Sequence, residues 1–241
     1  MGMPVSIEIV GAGAEQKNFD AVFDYFVHTD EKFSTYKKTS EISKINKGEI
    51  EPEQYSDEMK TVFKLSEETK DLTKGYFDIQ KADKSYDPSG LVKGLAIQNA
   101  ADLLKKFGCS DFYVDIGGDI QTSGKNEQGE EWSVGIRNPF NREEIVKVVY
   151  PKGSGVATSG TYIRGGHIYN PHSDKPLETD IMSLTVIGPN IYEADRFATA
   201  AFAMGNRGIE FIESLEGFEG YSIDKNGVAT MTTNFLDYTK K

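Results

Sequence analysis

The sequence has few of the residues that build disulfides and transition-metal sites. Its 241 residues include one cysteine, Cys109, and three histidines, His28, His167 and His172. A single cysteine excludes an internal disulfide and any cysteine-based zinc cluster, and three scattered histidines leave little room for a histidine-rich metal site. Cys109 is therefore expected to be structural.

Positive charge and long apolar runs are also scarce. With 27 Lys and Arg against 38 Asp and Glu, the net charge is −11 at pH 7. This argues against a nucleic-acid partner, because phosphate binding needs a basic surface. No apolar run is long enough to span a bilayer, so no integral membrane segment is expected. The start, MGMPVSIEIV, resembles no signal peptide. We expect a cytoplasmic protein, or an extracytoplasmic one if a signal peptide or lipobox has been removed.

Hydrophobic spacing predicts a mixture of helices and strands. Helical periodicity covers residues 15–33, 56–75, 90–108 and 190–205. Strands are predicted at residues 5–9, 111–117, 131–136, 144–151, 155–159, 167–171 and 182–188. Because the two types do not alternate strictly, the pattern favours an α+β fold, with helices packed on a largely antiparallel sheet. We expect a single compact domain over residues 1–241.

Capping residues mark the ends of two predicted helices. Ser56 is a predicted N-cap, and Gly75 is predicted to end that helix. In the last helix, Asn190 and Glu193 have the spacing of a capping box, and Gly205 is the expected stop.

The last predicted helix carries a carboxylate among apolar residues. Asp195 and Thr199 are four residues apart in NIYEADRFATAAFAMG, so both project from one face. A buried carboxylate is costly unless it has a partner, and carboxylate and hydroxyl oxygens together suit Mg²⁺ or Ca²⁺. The alternative is that the helix dipole favours Asp195, while the Thr199 hydroxyl bonds a main-chain carbonyl.

Two glycine-containing segments suit the approach of a ligand to the main chain. SYDPSGLVKG, residues 85–94, is a loop that opens a helix, where main-chain amides suit a phosphate. The alternative is a plain turn into the helix. In VDIGGDIQTSG, the pair Gly117 and Gly118 allows a ligand to come close, although such pairs also form ordinary turns.

A third polar segment, residues 155–176, reads GVATSGTYIRGGHIYNPHSDKP. It contains Thr158, Ser159, Tyr162, Arg164 and His167. A histidine near hydroxyls and an arginine suits acid–base chemistry on a phosphoryl substrate. The alternative is a histidine that begins a strand and has only a structural role.

In order and spacing, DPSGLVKGLAI, DIGGDI, TSGTYIRGGHIYNP and EADRFATAAFAMG resemble the motifs of the ApbE family, the FAD:protein FMN transferases. FSTYKKTSEISKIN, residues 33–46, is similar to the family's N-terminal segment, and MGMPVSIEIVG resembles its first strand. The resemblance covers nearly the whole chain and implies an ApbE-like fold.

The resemblance also implies an activity. Family members cleave FAD, their substrate, at its pyrophosphate with the help of Mg²⁺. They transfer FMN to a threonine or serine hydroxyl of an acceptor flavoprotein, forming a phosphoester and releasing AMP. The acceptor would carry a threonine-containing flavinylation motif. The alternatives are a Mg²⁺-dependent FAD pyrophosphatase that yields FMN and AMP, and a non-catalytic FAD-binding protein.

Individual residues take their expected roles from the same resemblance. The Gly90 carbonyl, Asp195 and Thr199 resemble the metal ligands, and His167 resembles the histidine proposed to assist proton removal. The expected catalytic residues are His167 and Asp195. The expected FAD-binding residues are Tyr36, Asp87, Lys93, Gly117, Gly118, Asp119, Thr158, Ser159 and Arg164. Arg196 replaces the small residue usual after the metal-binding aspartate, and the resemblance assigns it no role.

Overall fold

The structure, a computed structural model, describes residues 2–160, 169, 171–172 and 179–240. The helices are α1 (Gln16–Phe33), α2 (Glu41–Asn46), α3 (Asp57–Leu72), α4 (Ser89–Lys106), α5 (Ile191–Ala203) and α6 (Gly208–Glu213). The strands are β1 (Val5–Val10), β2 (Asp111–Ile116), β3 (Asp119–Ser123), β4 (Val134–Arg137), β5 (Ile145–Val149), β6 (Gly155–Gly160), β7 (Ile181–Gly188), β8 (Glu219–Asp224) and β9 (Ala229–Met231). Short 3₁₀ turns lie at Pro52–Gln54, Gly205–Arg207 and Phe235–Tyr238.

A seven-stranded sheet forms the centre of the fold. Its strand order is β1-β2-β3-β6-β7-β8-β9, and each neighbouring pair is antiparallel. Strands β4 and β5 pair separately and lie in sequence between β3 and β6. The expected α+β class, with helices on a largely antiparallel sheet, is confirmed.

The sheet has a hydrophobic core on each face. On one face, α1, α4 and α5 pack on the strands, and Leu104, Phe112 and Leu184 are fully buried there. On the other face, Val149 of β5 packs with Phe235 and with the outward side chains of the central strands. Because both faces are covered, β3 and β8 are buried along nearly their whole length rather than at every second residue.

The start of α5 is fixed on the sheet by close contacts. Gly155 of β6 lies so close to Ile191 that a Cβ at this glycine would overlap the main chain of Ile191. The side chain of Gln121 on β3 accepts a 2.9 Å hydrogen bond from Ile191 N. Asn190 caps the helix by accepting from Glu193 N at 3.0 Å. These contacts determine where the next turn of α5, which carries Asp195, meets the sheet.

The four long predicted helices are confirmed, with ends shifted by up to three residues. Ser56 caps α3 by accepting from Met59 N, and Gly75 and Gly205 both adopt positive φ beyond the ends of α3 and α5. The predicted capping box is half formed, because the Glu193 carboxylate accepts from Arg196 instead.

The sequence patterns did not predict α2, α6, β3, β8 or β9. Helices α2 and α6 have six residues each, too few for a clear period, and β3 and β8 lack alternation. Residues 167, 168 and 170 of the predicted strand 167–171 lie outside the described residues. In the part of the chain that the structure describes, no helix has the length and apolar character needed to cross a membrane.

Candidate active site

A cavity lies where the start of α4, strand β6 and helix α5 meet. It brings together seven of the residues predicted from the sequence: Asp87, Gly90, Lys93, Thr158, Ser159, Asp195 and Thr199. The other described residues in its wall are Tyr76, Phe77, Asp78, Ser89, Gly160, Tyr169 and Pro171. The segments with the strongest polar motifs therefore converge on one site, although they are far apart in sequence.

Asp195 is almost completely buried, with 2 % of its surface exposed. Its Oδ1 lies 3.4 Å from the Lys93 ammonium, and its Oδ2 accepts a 2.8 Å hydrogen bond from Gly94 N. Burial raises the pKa of Asp195, the Lys93 charge opposes this, and the Asp119 charge adds to it, so the pKa reaches about 7. Lys93 is thus the partner of the buried carboxylate within the protein.

Lys93 also contacts a second buried carboxylate. Its ammonium forms an ion pair with Asp119 Oδ2 that is closer than its contact with Asp195. Asp119 Oδ1 accepts a 3.1 Å hydrogen bond from Thr158 N. The three side chains carry two negative charges and one positive charge when ionised. The cluster therefore has an excess negative charge, which either a proton or a further cation can balance.

The oxygen atoms of Gly90 and Thr199 lie together on the cavity wall. In a regular α-helix, the Gly94 N–H would donate to the Gly90 carbonyl, four residues earlier. Here that N–H also donates to Asp195 Oδ2, and the Gly90 carbonyl, which has two lone pairs, can accept from a further group. Thr199 Oγ1 lies 3.5 Å from it and donates across the two helices, not to a carbonyl of its own helix.

These oxygens are of the kind that Mg²⁺ binds. Two neighbouring ligands of an octahedral Mg²⁺, each at about 2.1 Å, lie about 3.0 Å apart. Gly90 O and Thr199 Oγ1 are 3.5 Å apart, so a small shift of either group would bring both to one ion. Together with the Asp195 carboxylate, they form a set of hard oxygen donors.

Glycine residues allow the close approach of α4 and α5 at this point. A Cβ at position 94 would lie 2.6 Å from Asp195 Cβ and 2.9 Å from the Ile191 carbonyl oxygen. A Cβ at position 90 would lie 3.1 Å from Thr199 Cγ2, a tight contact. Gly94 in particular is required if the main chain of α4 is to reach the Asp195 carboxylate.

Asp87 stands at the mouth of the cavity, just before α4. It accepts from Ser89 N at 3.2 Å and lies 3.1 Å from the Lys81 ammonium. Burial raises the pKa of Asp87, but the hydrogen bonds from Ser89 and the charge of Lys81 outweigh that effect, and the pKa lies below its usual value. Asp87 is therefore charged at neutral pH and helps to order the turn into α4.

A second cavity adjoins the first and shares Asp87, Ser89 and Lys93 with it. Tyr36 lies on its rim with 95 % of its surface exposed. Met3 forms part of the same wall.

Gly117 and Gly118 form the two-residue turn between β2 and β3, both with positive φ. A Cβ at position 117 would lie 2.8 Å from Met3 Sδ, whose side chain lines the second cavity. Gly118 N donates to Asp115 Oδ1 at 2.7 Å. The turn thus needs glycine for its conformation and lies beside the cavity through Met3.

Three of the predicted polar residues, Tyr162, Arg164 and His167, lie outside the described residues, so their roles remain predictions. Among the residues that are described, no three His, Cys, Asp or Glu side chains form a group that could hold a metal ion. Cys109 is buried against Gly13 and Asn18, which is consistent with the structural role expected for it.

Arg196, to which the sequence assigned no role, joins α5 to α3. It donates to Glu193 at 2.9 and 2.6 Å and to Thr69 Oγ1 at 3.0 Å. Its guanidinium lies 4.9 Å from the ring centre of Tyr192 and 4.6 Å from that of Phe197. In the sequence, the three-residue spacing between Glu193 and Arg196 was the one feature that could have indicated their ion pair.

Tyr169 and Asp78 also belong to the cavity but were not predicted from the sequence. The Tyr169 hydroxyl donates a hydrogen bond to the main-chain oxygen of Asp78, and both residues form part of the wall. Burial and the nearby carboxylate charge of Asp78 raise the pKa of Tyr169, so its hydroxyl stays protonated at neutral pH.

Comparison with known proteins identifies relatives in sequence. Residues 1–83 and 79–222 match the model of the ApbE family. The FAD:protein FMN transferase of Salmonella typhimurium is 31% identical over 154 residues, which cover 60% of this chain and 44% of that protein. The Escherichia coli K12 protein of the same name is 31% identical over 161 residues, covering 63% and 46%. The match thus covers less than half the length of each relative.

Solved structures with the same fold extend the comparison over the whole chain. The flavin transferase ApbE from Vibrio cholerae has a TM-score of 0.86 at 23% identity, covering 99% of this chain and 96% of that one. The ApbE protein from Thermotoga maritima has a TM-score of 0.86 at 20% identity, covering 100% and 97%. These likenesses confirm the expected fold, and with the family match over most of its length, the chain belongs to the ApbE family.

Proposed function

We propose that this protein is a Mg²⁺-dependent FAD:protein FMN transferase. The hydroxyl oxygen of a threonine or serine on an acceptor flavoprotein attacks the FMN phosphorus of FAD. The bond from that phosphorus to the bridging oxygen breaks, AMP leaves with this oxygen, and the hydroxyl proton is lost. The product is a phosphoester-linked flavin on the acceptor. Membership of the ApbE family and the names of the sequence relatives support this proposal.

The observation that carries the proposal is the meeting of the Gly90 carbonyl, Asp195 and Thr199 in one cavity beside Lys93. Their hard oxygens would hold Mg²⁺, and the excess negative charge of the buried cluster favours a cation there. When bound, Mg²⁺ offsets the charge on the pyrophosphate oxygens and on the departing AMP.

The residues of the chain would bind and orient FAD around this point. Ser89 and Gly90, the first two residues of α4, lie in the wall of the cavity, and the N-terminal end of a helix suits a phosphate. The Lys93 ammonium and the hydroxyl groups of Thr158 and Ser159 line the same wall. The exposed ring of Tyr36, on the rim of the adjoining cavity, offers a face for the isoalloxazine or adenine ring.

Other predicted residues complete the proposed site. Gly117 and Gly118 would shape the wall beside Met3, and Asp87 would order the turn into α4. From the resemblance to the family, Arg164 would contact FAD and His167 would accept the hydroxyl proton. A positioned general base contributes about 10²- to 10⁴-fold to a rate.

A transfer assay tests the proposed function. The protein is incubated with FAD, Mg²⁺ and a candidate acceptor flavoprotein, and the acceptor is then weighed by mass spectrometry while AMP is quantified. We expect the acceptor to gain the mass of FMN less water, with one AMP per transfer, and we expect chelation of Mg²⁺ to abolish the gain. The Asp20→Asn variant, changed on an exposed face of α1, should behave like the unsubstituted protein.

Other outcomes would replace the proposal. Release of AMP and free FMN at the same rate with or without acceptor would identify an FAD pyrophosphatase. Stable retention of FAD with Mg²⁺ present and no AMP released, across several acceptors, would identify a flavin-binding protein.

A further inference from the structure

Lys93 lies between two buried carboxylates at unequal distances. Its ammonium makes a close ion pair with Asp119 Oδ2, while Asp195 Oδ1 is 3.4 Å away. Both contacts are ion pairs, so the ammonium lies between the two carboxylates and is nearer to Asp119 than to Asp195. This asymmetry leaves Oδ1 of Asp195 without a short contact to the ammonium.

The Asp119 carboxylate does not line the described wall of the cavity. Only 2 % of its surface is exposed. Its Oδ1 accepts from Thr158 N, and its Oδ2 contacts Lys93. This carboxylate can therefore affect a ligand in the cavity through Lys93, through the position of β6, or through the direct effect of its charge on Asp195.

We propose that Asp119 is a positioning residue that holds the Lys93 ammonium away from Asp195, so that the Asp195 carboxylate remains open to a divalent cation. This inference rests on the proposed Mg²⁺-dependent function. An ammonium and a Mg²⁺ ion compete for the same buried carboxylate. A carboxylate whose charge is already balanced by one cation attracts the other less strongly, and the two cations repel each other. Asp119 resolves this competition by giving Lys93 a closer partner of its own.

The Asp119→Asn variant isolates this role. Asparagine retains an oxygen that can accept from Thr158 N, so the contact with β6 is preserved, while the charge that holds Lys93 is lost. Of the two carboxylates described beside Lys93 in this cluster, Asp195 then remains. We expect the ammonium to move toward Asp195 and to compete with Mg²⁺.

A crystal structure of metal-free Asp119→Asn protein tests the first step. We expect the distance from Lys93 Nζ to Asp195 Oδ1 to shorten from 3.4 Å to a hydrogen-bonding distance. If Lys93 keeps its present position in this variant, Asp119 does not hold it, and the inference fails.

A double-mutant cycle on Mg²⁺ affinity tests the second step. The dissociation constant for Mg²⁺ alone is measured by calorimetry, without FAD, for the unsubstituted protein, Asp119→Asn, Lys93→Met and the double variant. We expect Asp119→Asn to raise the constant about tenfold when Lys93 is present, and less than about threefold in the Lys93→Met background. A direct charge effect or a structural effect of Asp119 would raise it by the same factor in both backgrounds and would overturn the inference.

Further measurements keep the test decisive. Circular dichroism and thermal unfolding establish that each variant is folded. If Asp119→Asn does not fold, Lys93→Met alone must leave Mg²⁺ affinity unchanged or tighter, since a competitor has been removed, and weaker affinity would contradict the inference. If the unsubstituted protein binds no Mg²⁺, the inference fails together with the metal requirement. If the unsubstituted protein transfers no FMN but the effects of Asp119→Asn and Lys93→Met on Mg²⁺ affinity are non-additive as expected, the proposed function alone is rejected.

Discussion

The main-chain N–H of Gly94 donates a 2.8 Å hydrogen bond to Oδ2 of Asp195 on the neighbouring helix. Position 94 must be glycine for this contact, because a Cβ there would lie 2.6 Å from Asp195 Cβ. This one contact therefore determines both how closely α4 packs on α5 and how the carboxylate of the candidate metal ligand is oriented. Changes at this contact should alter stability and cation binding together.

The Gly94→Ala substitution tests that coupling. Alanine favours a helix by about 1 kcal/mol over glycine, but its Cβ would force α4 and α5 apart, and overpacking typically costs about 1–3 kcal/mol. We expect a lower melting temperature and weaker Mg²⁺ binding. In the control Gly220→Ala, the nearest atom is the flexible end of Ile209 at 2.8 Å, so Mg²⁺ affinity should not change. Equal Mg²⁺ affinities of Gly94→Ala and the unsubstituted protein would contradict the prediction.

The raised pKa of Asp195 predicts a pH dependence of stability. The folded protein retains a proton up to about pH 7 that the unfolded chain releases near pH 3.8. The free energy of unfolding should therefore fall as pH rises from 4 to 7, relative to the Asp195→Asn variant, by about 2–4 kcal/mol. Denaturant titrations of both proteins across this range measure the difference. A constant difference would show that the Asp195 pKa is not raised.

Mg²⁺ affinity should increase as pH rises, whereas the free energy of unfolding should decrease. A protonated Asp195 cannot bind a cation, so Mg²⁺ affinity should weaken as pH falls through about 7. We expect the Mg²⁺ dissociation constant to be about tenfold larger at pH 6 than at pH 8. Calorimetric titration with Mg²⁺ at the two pH values measures this ratio. If the two constants are equal, Asp195 either titrates outside this range or does not bind the ion.

Substitutions at Thr199 test whether its hydroxyl is a ligand. Thr199→Val keeps the shape of the side chain but removes Oγ1, which lies 3.5 Å from the Gly90 oxygen. We expect the Mg²⁺ dissociation constant to rise about tenfold or more for valine and less than about threefold for Thr199→Ser, which keeps the hydroxyl. If serine weakens Mg²⁺ binding as much as valine does, keeping the hydroxyl does not preserve the site, and the prediction that Oγ1 is a ligand fails.

Arg196 should contribute to stability without affecting cation binding. Arg196→Lys loses the paired hydrogen bonds to Glu193 and the bond to Thr69, at a cost of about 1–3 kcal/mol. In a protein of this size, each kcal/mol lowers the melting temperature by about 2–4 °C. The control is Arg137→Lys on an exposed position of β4, which should change little. A large loss of Mg²⁺ affinity in Arg196→Lys would instead connect this residue to the site.

A helix is easiest to predict from sequence when one face is buried and its ends carry capping residues. Helix α3 has a serine cap and an apolar stripe, so its pattern was readable. Strand β3 has buried residues at four successive positions because the sheet is covered on both faces, and no alternation indicates it. The glycine pair before it indicates a turn, but no pattern indicates the strand that follows.

Seven residues of the cavity wall were singled out from the sequence, but their contacts were not predicted. Asp195 and Thr199 share a helix face, and helical spacing alone predicts that. The contacts among Lys93, Asp119 and Asp195 join α4, β3 and α5, and pairing across three elements depends on their packing. The role of Arg196 was missed for the same reason, since Thr69 lies 127 residues away.

The contact between Gly94 and Asp195 closes a loop of 101 residues. Such a long closure has a large entropic cost and requires the intervening strands to be in place. The cavity is complete only when α5 has docked on both α4 and the sheet, so we expect it to be among the last features to form during folding. A partly folded chain that already contains most of its helices would lack the candidate cation site, so we expect the proposed Mg²⁺ binding, after dilution from denaturant, to begin only when the native topology is complete.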